Sequence, residues 1–451
     1  MHSFEKYLPF TPNQGQKIVL LDLFKFVDPE DKRDVMILKG AAGTGKTSIL
    51  EALKTFIEEN SLKCRFAAPT GRAAKVLNSK VRADVKTVHS MIFIPEILEN
   101  GGVKFNLRGK NDDGHTIYII DESSMIADSM GISDQFQSEE PLLTSLIRYI
   151  KMGNEKNKII FVGDPYQLPP VVSNHEISFS PALEPEYLKR KFNLNSGENI
   201  LTEVMRQDDN SPVLNLATSI RDEIERGNDM YCRYPNRFSG WWHVRDSYLE
   251  SFDSGNLDNV TVICHTNNDV NWWNTTLRNE MYPESNSLLN QGDVVTVHKN
   301  TWTSKGLIYN GDSGVIKQFN PVPRKCANLH FSECEIEFRG TDEAFTVEKL
   351  VCWESITSEK GNLMPEHEKQ LYAAAMKSNP KFRASQNVMD DEFLNAFRLR
   401  YGYASTCHKA QGGEWDTVFI HPYLQGMKRD RAKWMYTACT RAREEVFSWC
   451  N

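Results

Sequence analysis

No apolar run in the 451-residue sequence approaches the ~18 residues that a membrane-spanning helix needs. The first ten residues, MHSFEKYLPF, are too charged and proline-interrupted for the apolar core of a signal peptide. Both absences lead to the expectation of a soluble, unexported, intracellular chain without a membrane partner. Cysteine gives no framework: the nine residues are odd in number and scattered, with no C-x-x-C pair and no histidines at zinc spacing. They read as free thiols in a reducing compartment. Positive charge is also short, with 53 Lys and Arg against 60 Asp and Glu and a net charge of −7. That excludes a protein that holds nucleic acid by bulk charge and requires any polyanion to be bound by local patches.

What is present suffices for several cores: 40% of the residues are apolar, and the length corresponds to about three domains at ~150 residues each. Short apolar runs at 35–39, 65–68, 116–120 and 158–162 alternate with helical stretches, as in a parallel sheet with crossover helices. A second series is read at 200–203, 241–245, 260–265, 401–405, 418–421 and 446–449. The texture between them changes at 291–353 to closely spaced β segments broken by Asn-Gly, Gly and Pro, as in a small barrel. Residues 354–395 are polar and partly helical, an arm on that barrel. The predicted fold class is α/β, with one domain at 1–185, a second at 186–290 and 396–451, and the barrel with its arm inserted at 291–395.

Residues 40–47, GAAGTGKT, follow the apolar run VMILK and open a predicted helix. The spacing G-x-x-x-x-G-K-[ST] arises by chance on the order of once per 80,000 positions. It lets the backbone of Gly40, Ala41, Ala42, Gly43, Thr44, Gly45 and Ser48 wrap phosphates, with Lys46 on the β/γ oxygens and the Thr47 hydroxyl on Mg²⁺. ATP and Mg²⁺ are therefore expected. The run IYII ends in Asp121 and Glu122, which read as the metal-facing acid and the acid that activates water. Gln167, after FVGDPY, is expected near the γ-phosphate. Arg206 and Arg441 are candidates to stabilise the charge that phosphoryl transfer spreads over oxygens; taken singly, either could be a surface ion pair.

Residues 62–90 carry seven basic residues (Lys63, Arg65, Arg72, Lys75, Lys80, Arg82, Lys86) against one acid, and 427–443 carry six against one. One such stretch per α/β domain suits a polyanion lying across both, although each also reads as a solvated helix face. Residues 91–115, with an Asn-Gly-Gly turn, are expected to form a protruding hairpin. Phe93 and Phe105 in it either stack on bases or pack the hairpin.

In order along the chain, FTPNQ, GAAGTGKT, AAPTGRAAK, TVH, IIDESSM, VGDPYQLPPV, LTEVMRQ, CHTNNDVN, YNGDSGVI, YASTCHKAQGGEWD and YTACTRAR resemble the ordered motifs of superfamily 1 DNA helicases, specifically the Pif/RecD/Dda branch. The resemblance implies two RecA-like domains with ATP between them, a wedge hairpin in the first and an SH-three-like barrel inserted in the second. It further implies that single-stranded DNA touches Pro69, Thr70, His89, Thr266, Asn267, Thr406 and His408, that Gly413 and Glu414 link the strand to the nucleotide, and that a glutamine reads adenine. Gln14 has the matching spacing, with Gln16 as the alternative. A monomeric motor that moves 5′ to 3′ and unwinds partial duplex is the function implied. The rivals are an ATP-gated single-strand remodelling factor and an RNA helicase.

Overall fold

The computed structural model describes residues 6–8, 10–97, 103–130, 136–170, 179–205, 211–231, 233–339, 343–358, 363–424 and 426–450. Six parallel strands form the first sheet, in the spatial order Val85–Thr87, Lys63–Ala68, Thr116–Ile120, Lys158–Gly163, Val35–Gly40 and Ser196–Leu201. Its central strands, Thr116–Ile120, Lys158–Gly163 and Val35–Gly40, are buried on both faces. Met36 and Leu38 pack with Leu20, Leu23, Ile49 and Leu53 on one side, while Val35 and Ile37 pack with Leu146, Ile150 and Leu183 on the other. Unbroken runs such as VMILK and TIYII follow from this double burial, because a helix layer covers each face.

The second sheet is parallel as well, ordered Asn236–Phe238, Ala442–Trp449, Trp415–Ile420, Val260–Cys264 and Ala404–Thr406. Between its strands lies the insertion: Val294–Val297, Ser313–Phe319, Leu329–Arg339, Ala344–Cys352 and Phe397–Tyr401 pair in a closed circuit, a five-stranded barrel around Val295, Ile316, Ile336, Phe338 and Leu399. Helices Trp353–Thr357, Pro365–Ser378 and Pro380–Ser385 form the arm, and Leu371, Ala375 and Phe382 pack it onto the barrel through Phe331 and Leu350.

Three expectations are corrected. The run at 200–203 is not part of the second series: Ser196–Leu201 pairs with Val35–Gly40, so the first fold continues past residue 185 to at least Leu201. Residues 241–245 belong to a helix, Trp241–Ser251, that buries Val244 and Tyr248 four apart. Finally, the inserted unit does not stop at 395. Phe397–Tyr401 is antiparallel to Val294–Val297 and closes the barrel, so the second fold resumes only at Ala404.

Among the described residues the hairpin is a pair of antiparallel strands, Phe93–Ile97 and Val103–Leu107, with Phe136–Ser138 alongside the second. Its turn at 98–102 falls outside them.

Candidate nucleotide and single-strand sites

The glycine-rich loop leaves the end of Val35–Gly40 and enters the helix Lys46–Glu59 through Gly45, whose φ of 85° a side chain would strain. Lys46 Nζ donates to the carbonyls of Gly40 (2.7 Å) and Ala41 (3.0 Å). Two strands away, Ile120 ends the strand that delivers Asp121 and Glu122 to the same sheet edge, and Gly163 delivers Asp164 between them. Glu122 sits at φ 49°, a left-handed position unusual for a side chain of this size. Burial, and then the neighbouring Asp121 carboxylate, push its carboxyl up to about 7, against the opposing pull of Arg441 and Lys46. Burial also raises Asp121 and Asp164. A carboxyl poised near neutrality suits a group that must take a proton from water.

The donors present fit a magnesium ion. The Thr47 hydroxyl donates to no group among the described residues, and one Asp121 oxygen accepts the Glu122 N–H while the other is left over. One hydroxyl and one carboxylate match an ion held mainly by phosphates and water. A closed protein cage is not in question, since no group of three or more His, Cys, Asp or Glu suited to a metal occurs among the described residues.

The second fold completes the cleft. Helix Arg431–Cys439 places the Tyr436 hydroxyl 2.9 Å from the Ala42 amide and 2.9 Å from Asp164 Oδ2. Arg441, 5% exposed, is held by the carbonyls of Thr437 (3.1 Å) and Gly413 (3.2 Å) and the Thr440 hydroxyl (3.2 Å). No carboxylate among the described residues lies within ion-pair distance of it, which sets aside the surface salt-bridge reading. Gln167 is buried at the same junction, with its Oε1 unpartnered among the described residues. The carbonyl of Leu168 takes Gln411 Nε2 (3.2 Å), and its amide donates to the Thr437 hydroxyl (2.8 Å). Gly413 packs against Arg72, and Glu414 lies 3.8 Å from Lys80, so both sit on the seam between the folds. Arg206 lies outside the described residues.

The two candidate glutamines are placed differently. Gln14 is exposed at the start of helix Gln14–Phe26. Gln16 is fully buried: with the N-cap Asn13 it forms a capping box, and its Nε2 reaches the Thr44 carbonyl of the glycine-rich loop (3.4 Å). The signal was in the sequence, because N-x-x-Q ahead of an apolar run is a helix-start signature.

The residues expected to touch a single strand lie at the carboxyl ends of both sheets. Pro69 and Thr70 follow Lys63–Ala68, and the Thr70 hydroxyl caps helix Gly71–Val81. His89 is half-buried, and burial pushes its imidazole down to about 4, so it is neutral at pH 7. In the second sheet Cys264 is in register with Thr406, which brings Thr266, Asn267, Thr406 and His408 to one edge. Thr266 caps helix Asn267–Met281, and the Asn267 amide oxygen accepts from Arg400 (3.3 Å). The stacking reading of the phenylalanines does not hold for Phe93. It is 3% exposed and packs against Phe105 and His89, with ring centroids 5.7 Å apart in each pair, while half-buried Phe105 joins the same core. Ile94, 51% exposed, is an apolar side chain that the hairpin does present to solvent.

The first basic stretch is also less bare than its composition. Arg65, Arg72, Lys75, Lys80 and Lys86, five of the seven, lie within 4.0 Å of Asp113, Asp258, Asp312, Glu414 and Asp84. Three of those acids belong to the second fold or the barrel, so part of the charge ties the units together. Arg72 also lies over the Trp415 ring at 4.0 Å.

Comparison with known proteins agrees with this architecture. Residues 13–232 match the family model of an AAA domain, and 401–447 match that of the UvrD-like helicase C-terminal domain. The ATP-dependent RecD2 DNA helicase of Deinococcus radiodurans is 23% identical over 437 residues, 97% of this chain and 50% of the relative. The uncharacterized protein R530 of Acanthamoeba polyphaga mimivirus is 22% identical over 514 residues, covering 96% and 99%. The chain thus spans half the length of the first and nearly all of the second. A structure of Pif1 helicases at forked double-stranded DNA superimposes with a TM-score of 0.53 at 19% identity, covering 98% of this chain and 92% of that one. A Bacteroides Pif1 helicase with ADP-AlF3 and single-stranded DNA gives 0.51 at 20%, covering 97% and 92%. At these identities the likeness establishes the fold, two RecA-like domains with an inserted barrel.

Proposed function

The chain belongs to the superfamily 1 helicases of the Pif/RecD-like branch, and from that premise we propose that it is an ATP-dependent DNA helicase that travels 5′ to 3′ along single strands and parts duplex at its hairpin. The observation that carries the reading is the meeting of two half-sites. The loop at 40–48 and the acids Asp121, Glu122 and Asp164 come from one fold, while Tyr436 and Arg441 come from the other.

In this reading Lys46 leaves the Gly40 and Ala41 carbonyls for the phosphate oxygens, and Thr47 and Asp121 would hold Mg²⁺, which would supply charge to neutralise the phosphates. Glu122 receives the proton of the attacking water. Arg441, anchored by backbone carbonyls and paired with no carboxylate among the described residues, offers its charge to the transferring group only when the folds close. Gln16 is the adenine-reading glutamine. Closure changes the spacing between the strand contacts at Pro69, Thr70 and His89 and those at Thr266, Asn267, Thr406 and His408, so each turnover advances the strand.

The test is ATP-driven unwinding of partial duplexes bearing a 5′ DNA, a 3′ DNA or a 5′ RNA tail. Unwinding confined to the 5′ DNA tail is expected. Activity only from the 3′ tail would overturn the direction, and strand-stimulated ATP turnover without unwinding of any substrate would make the protein a remodelling factor.

A further inference from the structure

Tyr436 joins the two folds directly, and neither the phosphate-loop pattern nor the arginine roles account for it. Its ring is 1% exposed and packs against Tyr166 of the first fold, centroids 5.9 Å apart. The hydroxyl is fully committed. It accepts the backbone N–H of Ala42 and donates its own proton to Asp164 Oδ2, both at 2.9 Å, and the other Asp164 oxygen accepts the Tyr166 N–H at 3.0 Å. An amide can only donate, so the phenol oxygen accepts from Ala42 and its own proton is left for Asp164.

Ala42 is the third residue of GAAGTGKT, in the loop whose N–H groups wrap phosphate. An N–H that points at a phenol cannot also point at a phosphate oxygen, so a nucleotide that uses this amide must displace Tyr436 from it. The exchange favours the nucleotide, because charged oxygens are stronger acceptors than a neutral hydroxyl. Tyr436 would keep its bond to Asp164 but lose its grip on the loop. It lies on the helix Arg431–Cys439, whose end leads directly into Arg441, and Arg441 Nε is bonded to the carbonyl of Thr437, the next residue after Tyr436. A shift of the phenol is thus carried to the guanidinium within about one and a half turns of chain.

We infer that Tyr436 is a positioning residue that acts as a latch: its hydroxyl holds the Ala42 amide of the phosphate loop until a nucleotide phosphate displaces it, and the release reports phosphate binding to Arg441 in the other fold. The inference rests on the nucleotide-site reading above, and the comparison with Lys46→Ala separates the two.

The decisive variant is Tyr436→Phe in the full chain, which keeps the ring and removes both hydrogen bonds. ADP and ATP binding are measured by calorimetry, together with ATP turnover with and without single-stranded DNA. With the competitor gone, affinity should rise about three- to tenfold, the worth of one hydrogen bond. Turnover without DNA should rise relative to turnover with DNA, because the report to Arg441 is lost. Amide exchange in residues 40–48 should quicken. Unchanged or weakened affinity in a folded Tyr436→Phe protein would overturn the latch. Lys46→Ala binding ADP and ATP as tightly as the unaltered chain would instead sink the nucleotide site itself. Should Tyr436→Phe not fold, 3-fluorotyrosine at position 436 supplies the second measurement: ADP should move its fluorine resonance, and a resonance unmoved at saturating ADP would overturn the proposal.

Discussion

Two regions of this molecule bury charged groups and treat them in opposite ways. In the barrel, Glu368 of the arm meets Arg398 of the closing strand (3.3 Å) and Lys299 (3.4 Å). Burial alone would push its carboxyl up, but the two cations outweigh burial and hold it down to about 2. Lys299 itself is pulled down by burial, since it shares that single carboxylate with Arg398. In the cleft, Asp121, Glu122, Asp164, Lys46 and Arg441 are gathered without one ion pair within 4.0 Å among the described residues, and Glu122 is pushed up to about 7. The difference teaches which charges fasten and which wait. A compensated carboxylate holds the arm onto the barrel, whereas uncompensated ones are stabilised by what they bind.

The sharpest way to break the comparison is to remove charges from the cleft. Lys46→Ala should abolish ATP turnover, and Arg441→Ala should lower kcat by about 10³-fold, both while single-strand binding and thermal stability persist. Near-normal turnover in Lys46→Ala, or an effect of Arg441→Ala confined to KM, would remove these residues from the chemistry. Glu122→Gln should lower kcat by about 10²–10³-fold without lowering Tm, because the carboxylate it replaces is strained by burial. A large loss of stability would show that Glu122 fastens after all.

How much of this was legible in sequence depends on whether a feature is local. Residues 40–48 announce themselves because phosphate wrapping needs a fixed glycine spacing within one turn of chain. Asp121 and Glu122 do so because a buried strand must end before its acids. The barrel showed through its turn residues. What could not be read was partnership across the chain. Ser196–Leu201 looks like any strand until it pairs with Val35–Gly40, and the basic residues at 62–90 look bare until Asp113, Asp258 and Asp312 arrive from elsewhere. The role of Tyr436 is of the same kind, since its two partners are 394 and 272 residues away.

The barrel side of the comparison is tested by Glu368→Gln. Removing one partner of a buried pair leaves Arg398 and Lys299 uncompensated, at a cost of about 3–5 kcal/mol. Denaturation of the full chain should register this as an earlier transition, with ATP turnover at low temperature close to normal. Stability within about 1 kcal/mol of the parent would mean that apolar contacts of Leu371 and Phe382, and not the charges, hold the arm.

The finest discrimination is by pH, because the two carboxyls are shifted in opposite directions from the same ordinary value of 4.5. Glu122 is raised. Between pH 4.5 and about 7 the folded chain therefore keeps a proton that the unfolded chain has released, and this group's contribution to stability falls as pH rises, by at most about 3 kcal/mol. Glu368 is lowered. Its contribution is fully present above pH 4.5 and is lost as pH falls toward about 2, where the folded chain too becomes protonated. Denaturant midpoints of the parent, Glu122→Gln and Glu368→Gln across pH 3 to 8 separate the two. The gain from Glu122→Gln should grow from pH 4.5 to 7 and then level, while the deficit of Glu368→Gln should be constant above pH 4.5 and shrink below it. The same ionisation of Glu122 should appear in kinetics as kcat/KM rising to a plateau through about pH 7. A rate that is flat from pH 6 to 8 while the stability difference still titrates would show that the buried acid ionises there but is not the base.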